Sequence, residues 1–436
     1  MMLNERRWEL AALVSGGVMG GVAFGVSASF GLFLKPITDA ENLKRQVIGL
    51  AVGLNMLVQG FSSIGWGALT DTYGAAPVMA CGAALEVASL VATSYSEDGW
   101  QFYLAVPVEG LATGALSFSV VLGAVGKLVA PERRSRSLGM ASSTIAIGNV
   151  VVPPITYALL ASRSWSAAMR LVAGGCVVMF PLCLCFAAAA RTLRRGRADY
   201  AAAAKAGDEV ANPLRPAPAR SLGETVRTAA ATRSYRLVFA GFFVCGFHVF
   251  FVRTHFPAYL SDRGLPEWVG AASLSLIGLG NVCGTFVAGM LAQRYEKRKP
   301  RILACIYTAR SLVFAAIALN DRPSVAFALA ISCVIGLLWL STVPVTNAIV
   351  GDLAGPRYVS TLFAIIFANH QVGSFFGAWL GGKVFDAHGS YAPMWWLCVG
   401  AGLLAAADHL PIEATRIFDD AAPAAVAARA ADDTAL

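Results

Sequence analysis

The sequence predicts an all-α membrane protein whose twelve transmembrane helices form two six-helix, pseudo-symmetric bundles. Three observations predict it. Hydrophobic residues make up 57% of the 436-residue chain and charged residues only 14%, too few polar side chains to cover a soluble globule. Apolar windows of about twenty residues, the length that crosses a bilayer core, fill most of the sequence. One polar run, residues 191–236, separates six of these windows from the other six.

The windows define the elements in order. Before the polar run they cover 8–34, 46–69, 75–95, 101–126, 138–161 and 168–190, and after it 236–259, 267–292, 301–319, 323–350, 358–382 and 392–411. Each is long enough for a helix through about 30 Å of hydrocarbon. We therefore assign 1–190 to an N-terminal bundle, 191–235 to a basic cytoplasmic linker, 236–411 to a C-terminal bundle and 412–436 to a disordered cytoplasmic tail.

The polar run has the composition of a connector. Residues 191–236 carry ten Lys and Arg against four Asp and Glu, a net charge of +6. Pro213, Pro216 and Pro218 interrupt any long helix in its middle, whereas the alanines at 201–204 allow the preceding helix to continue briefly. A solvated connector with no other task is the interpretation that this pattern favours.

The distribution of basic residues predicts the orientation. Of the 34 Lys and Arg, 24 lie on the side of the termini and the linker, eight lie on the opposite side and two lie within windows. Cytoplasmic loops carry the excess of positive charge. We therefore expect a multi-pass protein of the inner membrane with both termini in the cytoplasm.

Other classes find little support in the sequence. The nine cysteines all lie in apolar windows without metal-ligand or disulfide spacing, so no metal and no cofactor are expected. The positive charges sit in short loops and not along one face, which argues against nucleic acid as a partner. No catalytic residues are predicted, because no nucleophile or pair of catalytic carboxylates occurs at one depth. A membrane sensor that does not transport stays open as an alternative.

A short turn between the second and third windows carries the clearest motif. It reads G-x-L-x-D-x-x-G over residues 67–74, with Gly67, Asp71 and Gly74 at the fixed positions, and a related stretch recurs at 289–293. This motif resembles the signature of the major facilitator superfamily, although the usual basic residues after it are replaced by Thr72, Ala75 and Ala76. The resemblance implies two halves that rock about a central site, with Asp71 in a cytoplasmic latch to which the cluster around Arg134 contributes.

Four stretches resemble a narrower group, the bacterial branch related to monocarboxylate transporters and oxalate/formate exchangers. They are residues 29–36, 134–139, 256–260 and 369–375. The Asp/Arg pair that animal monocarboxylate transporters carry in the eighth helix is absent, since residues 273–291 hold nothing more polar than Asn281. The cationic pair of the oxalate exchanger is also missing. The substrate therefore cannot be copied from these relatives.

Ionisable residues at membrane depth are costly and mark functional candidates. The first half has Glu86 and Glu109, and the second has Arg253, Arg310, His248, His255 and His370. The second half thus has cations without carboxylates at the same depth, and a guanidinium suits a carboxylate ligand. Arg253 and Glu109 each lie roughly 12 Å from one end of their windows. Arg253 is expected to bind a substrate anion or to pair with Glu109 as an outer gate.

The remaining candidates have two interpretations each. His248 and His255 are seven residues apart, hence on one helical face, and would be proton-sensitive neighbours of Arg253 or bind backbone carbonyls. Arg310 binds either substrate or carbonyl groups inside the second bundle. Glu86 carries a proton or acts as a neutral hydrogen-bonding group. Asn281 and His370 are predicted to contact substrate, His370 alternatively being a satisfied interior histidine.

Together these observations predict a secondary active transporter. The expected activity is movement of small organic anions, most simply monocarboxylates, together with protons by alternating access. An organic-anion exchanger and an exporter of amphipathic compounds are the alternatives within transport. The expected partners are the anion, the proton and membrane lipids, and the protein is expected to be a monomer.

Overall fold

In the computed structural model, residues 2–129, 131–205, 221–413 and 416–418 are described. This part of the chain is helical and contains no strand. Ten of its helical segments are long and apolar enough to cross a membrane, judged by length and composition. The prediction of an all-α membrane protein is confirmed, and the count of twelve spans in two bundles stays a prediction.

The helices follow the apolar windows closely. The residues before the linker, here called the first half, form α1 (Met2–Ala40), α2 (Arg45–Tyr73), α3 (Ala75–Ser94), α4 (Gly99–Ala115), α5 (Phe118–Leu128), α6 (Pro131–Ser162), α7 (Trp165–Cys176) and α8 (Met179–Lys205). Later residues form α9 (Leu222–Ala231), α10 (Arg233–Asp262), α11 (Glu267–Arg294), α12 (Lys299–Leu319), α13 (Val325–Leu338), α14 (Thr342–His388) and α15 (Ala392–His409), and α10 to α15 are called the second half.

The structure differs from the predicted windows where the chain breaks or bends. The fourth and sixth windows each contain a break, between α4 and α5 and between α7 and α8. The tenth breaks after Leu338, and its second part continues into the eleventh as α14. A kink at Gly355, with φ of 71°, bends α14. Glycine adopts that conformation without the steric cost that other residues meet.

The predicted linker is partly helical in the described residues. Helix α8 continues to Lys205, in agreement with the high helix propensity of alanine. Helix α9 occupies much of the part before α10 and is capped by the Ser221 hydroxyl, which accepts from the amide of Glu224 at 3.2 Å. Residues 206–220, which include the three prolines, lie outside the described residues.

The described residues of the predicted tail, 412–413 and 416–418, pack against the second half. Ile412 and Phe418 are buried, and the Ile417 amide donates to the Leu353 carbonyl at 2.7 Å. The Phe418 ring packs on Tyr358. Apolar side chains in an otherwise polar, alanine-rich tail were the sequence signal for this contact. The tail beyond residue 418 lies outside the described residues.

Glycine allows helices within each half to pack closely. A Cβ atom at Gly148 of α6 would collide with the Gly21 carbonyl oxygen of α1. Likewise, Cβ atoms at Gly373 and Gly377 of α14 would collide with backbone carbonyls of α10. In lipid, helices associate through such close backbone contacts because there is little hydrophobic driving force between them.

In the described residues, the two halves meet mainly along three helix pairs. These are α2 with α14, α6 with α11, and α1 with α10. The α2–α14 contact is close from Gly49, whose Cβ position faces the Ala378 carbonyl, to Gly60, which faces the Gln371 side chain. The Gln371 amide also donates to the Gln59 side chain at 3.1 Å. This interface places α1, α2, α4 and α10 around the centre of the molecule.

Candidate functional site

A small cavity of about 10 Å³ lies at the interface between the halves. Its polar lining consists of Ser27, Asn55, Glu109, Arg253 and Thr254, and Phe30 and Phe250 supply aromatic walls. The volume corresponds to roughly one water molecule. In this conformation the cavity is therefore too small for an organic molecule, and the halves must separate to admit one.

The Arg253 guanidinium enters this cavity from α10. Its Nη2 donates to the Phe24 carbonyl of α1 at 3.1 Å, and the guanidinium carbon lies 5.2 Å from the centre of the Phe250 ring. The Nε atom is buried and has no hydrogen-bond partner. Within the described residues no carboxylate oxygen lies within 4 Å of the guanidinium, so Arg253 retains donor capacity for a further acceptor.

Glu109 of α4 reaches the same cavity from the first half. It is 3% exposed, and its Oε2 accepts from the Asn55 side-chain amide at 2.6 Å. Its Oε1 and the Asn55 Oδ1 are buried without a partner. Glu109 and Arg253 interact electrostatically. The structure thus brings together the two residues that the sequence placed at equal depth.

The two histidines of α10 do not line this cavity. His248 contacts the Cys398 carbonyl of α15 at 3.0 Å, and His255 contacts the Ala378 carbonyl at 2.7 Å and the Tyr391 hydroxyl at 3.1 Å. The geometry supports the alternative in which both histidines bind backbone carbonyls. They share a helical face as predicted, but that face packs against α14 and α15 of their own half.

Arg310 and Asn281 stabilise the break between α13 and α14. The Arg310 Nη2 donates to the carbonyls of Leu338 and Trp339 at 2.6 and 2.7 Å. The Asn281 Oδ1 accepts from the Leu340 amide at 3.1 Å. These bonds satisfy backbone groups that a broken helix leaves free. The geometry supports the carbonyl-binding alternative for Arg310 and leaves neither residue at the central cavity.

His370 lies inside the second half. Its Nδ1 is 3.0 Å from the Gln371 side-chain oxygen, and its ring stacks on Phe367 with centroids 5.4 Å apart. The Nε2 atom is buried and unpartnered. His370 therefore neighbours the Gln59–Gln371 contact between the halves but does not line the central cavity.

Glu86 lies on α3, which packs against the α4 helix that carries Glu109. Its side chain is 0% exposed, and neither of its carboxyl oxygens has a hydrogen-bond partner. The alternative of a neutral hydrogen-bonding group therefore finds no bonded partner for Glu86 among the described residues.

The predicted latch is described only in part. Gly74 separates α2 from α3 with φ of 90°, and its amide donates to the Thr70 carbonyl at 3.0 Å. A Cβ atom at Gly67 would meet nothing within 4 Å, so close packing does not explain that glycine. The side chains of Asp71 and Arg134 lie outside the described part, and their contact stays a prediction.

A charged cluster that the sequence reasoning missed joins the halves at the end where α1 meets α2. We call it the Arg45 cluster; it consists of Lys35, Arg45, Asp262, Asp386 and Tyr391. Arg45 forms a two-pronged ion pair with Asp262, one prong being 2.8 Å long, and its guanidinium lies 3.7 Å from the centre of the Phe385 ring. Lys35 reaches the same carboxylate at 3.5 Å. Opposite charges just outside the apolar windows of the two halves were the available signal.

Two further contacts complete the Arg45 cluster. The Asp386 carboxylate accepts from the backbone amides of Arg45 and Gln46 at 3.1 and 2.8 Å. Arg45 also donates to the Tyr391 hydroxyl at 3.0 Å. Burial raises the pKa of Tyr391, so this hydroxyl stays protonated at neutral pH. The cluster holds the halves together at this end.

In the described residues, ten membrane-length helices and a small polar cavity between two halves form the arrangement that is typical of membrane transporters. The profile of the Major Facilitator Superfamily matches residues 16–378, and the chain belongs to this superfamily. The solved structure of a D-xylose-proton symporter superposes with a TM-score of 0.68 at 15% identity, covering 93% of this chain and 97% of that one. This likeness bears on the fold alone.

Several curated proteins of the transporter type are similar in sequence to this chain. Monocarboxylate transporter 13 of Bos taurus is 23% identical over 410 residues, covering 92% of this chain and 90% of the relative. Monocarboxylate transporter 11 of Mus musculus is 23% identical over 398 residues, covering 90% and 84%. Multidrug resistance protein MdtH of Cronobacter sakazakii is 30% identical over 165 residues, or 38% and 40% of the two chains. The sequence-based assignment to the superfamily and its monocarboxylate-transporter relatives is confirmed.

Proposed function

We propose that this protein is a secondary active transporter of small organic anions, in the first place monocarboxylates, which it moves together with protons by alternating access. We also propose that it resides in the inner membrane as a monomer, with both termini in the cytoplasm. The full-length similarity to monocarboxylate transporters supports the anionic substrate class. The excess of basic residues on the side of the termini supports the orientation.

The surroundings of the Arg253 guanidinium are the main observation that supports the proposal. The guanidinium lies at the interface of the halves with a buried, unpartnered Nε and no ion-paired carboxylate among the described residues. A buried cation with free donor capacity attracts an anion, and a carboxylate can accept two of its N–H groups. When the halves separate, an organic carboxylate can take the place that the small cavity now occupies.

Glu109 supports coupling to a proton. A substrate anion and an ionised Glu109 would both be attracted by Arg253 across one cavity. Protonation of Glu109 therefore favours anion binding, and by linkage the bound anion favours protonation of Glu109. Proton and anion would then cross the membrane together.

The conformation indicates how access alternates. The Arg45 cluster and the close α2–α14 contact hold the halves together at the end away from the N-terminus of α1. In the proposed orientation this is the periplasmic end. Transport would require rupture of the Arg45 cluster while the opposite end closes, which is the rocking of two halves about a central site.

Uptake of labelled lactate by proteoliposomes containing the full-length protein tests the proposal. An inward proton gradient is expected to drive uptake, and Arg253→Gln is expected to reduce it roughly 10- to 100-fold, which is the effect of losing a charge-assisted hydrogen bond. Arg253→Lys retains the charge but not the planar fork of the guanidinium. Its uptake should lie between that of the unmodified protein and that of Arg253→Gln. Arg263→Gln is the matched control, because Arg263 ends the same helix and contacts Asp321 away from the cavity.

Normal uptake by Arg253→Gln would contradict the proposal. Uptake that depends on anion inside the vesicles and not on the proton gradient would indicate an exchanger. The partial similarity to MdtH favours testing export of amphipathic compounds in inverted vesicles. Ligand-induced changes in protease access to the linker without flux would indicate a sensor.

A further inference from the structure

We propose that Glu86 and Glu109 form a carboxyl pair that shares the coupling proton, with Glu86 as its second site. This inference rests on the proposed function, because it specifies where the transported proton resides. Glu86 is a buried ionisable group that anion recognition by Arg253 leaves unexplained.

The packing of α3 against α4 places the two carboxyl groups at one level. The Ser89 hydroxyl of α3 donates to the Ala105 carbonyl of α4 at 2.8 Å, and a Cβ atom at Gly82 would lie 2.9 Å from the Ala115 Cβ. Since the helices are antiparallel, residue 86 lies opposite the helical turn that contains residue 109. In agreement with this register, Glu86 and Glu109 interact electrostatically.

The environment of Glu86 suits a proton carrier better than a structural group. Its side chain is 0% exposed and neither oxygen has a partner, whereas buried polar groups with a structural role are almost always hydrogen-bonded. Two neighbouring carboxylates in a low dielectric cannot both ionise without strong repulsion. A single proton held by the pair removes this repulsion.

The groups around the pair set the direction of proton movement. Arg253 lines the same cavity as Glu109, which Glu86 does not line, and Asn55 donates to Glu109, so both favour a negative charge on Glu109 and a proton on Glu86. Cys176 of α7 also lies within electrostatic reach of both carboxyl groups. An anion bound at Arg253 reverses this preference and draws the proton onto Glu109.

A proton fits this site better than a sodium ion. Hard cations are held by several oxygen ligands at once. In the described residues no group of three or more His, Cys, Asp or Glu side chains is arranged to hold a metal ion, and no hydroxyl or amide is bonded to Glu86. The oxygens of Glu86 therefore lack the companions that a cation would need.

Infrared spectroscopy of the protonated-carboxyl band tests the pair without any substrate. The full-length protein in lipid is titrated with acid, together with Glu86→Gln and Glu86→Met, which retain side-chain volume. The pair is expected to titrate in two separate steps in the unmodified protein and in one step in either variant. Glu97→Gln is the control, because Glu97 is exposed, and it should retain both steps.

Lactate uptake as a function of pH is the second measurement. In Glu86→Gln the pH of half-maximal uptake should fall by at least about one unit, because the negative neighbour that helps Glu109 hold a proton is gone. The proposal of a carboxyl pair would be overturned if the unmodified protein and the Glu86 variants gave superimposable infrared titrations or superimposable uptake profiles. Uptake driven by a sodium gradient would overturn it as well. Loss of one infrared step in a protein that takes up no lactate would support the pair and refute the proposed function.

Discussion

Residue 31 must be small if Arg253 is to stay beside α1. A Cβ atom at this position would collide with the Arg253 carbonyl oxygen and lie 3.1 Å from that of Thr254. Both obstacles are backbone atoms, so a side chain at residue 31 would push α10 away from α1. Gly31 also lines the central cavity. One glycine thus determines the distance between the halves where the guanidinium lies.

Replacement of Gly31 by alanine is therefore expected to destabilise the protein. Overpacking against a helix backbone costs roughly 1–3 kcal/mol, which should lower the melting midpoint in detergent by about 2–5 °C. Gly65→Ala is the matched control, since Gly65 is an exposed glycine of α2 with nothing within 4 Å of its Cβ position. Equal midpoints for the two variants would show that the α1–α10 contact adapts freely.

At the scale of elements, α2 begins with a cap supplied by the other half. Its own N-cap residue, Lys44, makes no side-chain cap bond. The Asp386 carboxylate near the end of α14 instead accepts from the amides of Arg45 and Gln46. A carboxylate at a helix N-terminus satisfies free amides and favours the helix dipole. The start of α2 is therefore stabilised only while the halves are together at this end.

Hydrogen–deuterium exchange can detect this cap. Asp386→Ala should increase exchange of the first-turn amides of α2 by about 2- to 30-fold, corresponding to roughly 0.5–2 kcal/mol for a lost cap. Asp386→Asn retains an acceptor, and its exchange should lie between that of the unmodified protein and that of Asp386→Ala. Asp321→Ala should leave α2 unchanged, because Asp321 contacts Arg263 within the second half. Unchanged exchange in Asp386→Ala would show that solvent replaces the carboxylate at no cost.

The positions of the helices were easier to predict from the sequence than the contacts that their side chains make. Apolar length predicted the helices because membrane thickness sets it, and counting residues from the helix ends placed Arg253 and Glu109 at one level. Spacing also predicted that His248 and His255 share a face. It could not indicate which helix that face meets, so their contacts with α14 and α15 were missed. Carbonyl binding was one of the two interpretations of Arg310, but the sequence could not indicate that these carbonyls belong to a helix break, because the break is visible only in the backbone.

At the scale of the whole molecule, the ion pairs that join the halves in the described residues lie in the Arg45 cluster, at one end. Arg45 is 7% exposed and contacts groups of α10, α14 and the turn before α15. A buried charge that loses one partner is destabilised strongly. The cluster therefore stabilises this conformation relative to one in which that end is open.

Spin labels can measure how strongly the Arg45 cluster favours the conformation in which its end of the molecule is closed. Labels at Glu97 and Arg322, one in a loop of each half, would be placed in a protein whose five exposed cysteines are replaced. Arg45→Gln should add a longer distance to the distribution of distances between the two labels. Loss of the ion pair is expected to shift the equilibrium between the closed and open forms of this end by about 5- to 150-fold. Arg263→Gln, which breaks an ion pair inside one half, should not add such a distance. Identical distributions for Arg45→Gln and the unmodified protein would contradict this role of the cluster.

The contact of residues 416–418 with α14 has a practical consequence for anyone who attaches a reporter to this protein. The Ile417 amide meets the Leu353 carbonyl two residues before the bend at Gly355. A fluorescent fusion joined directly after Glu413 would delete that contact and leave the bend without its support. A fusion joined beyond Phe418 would preserve it, and any difference in activity between the two would report on how freely α14 flexes.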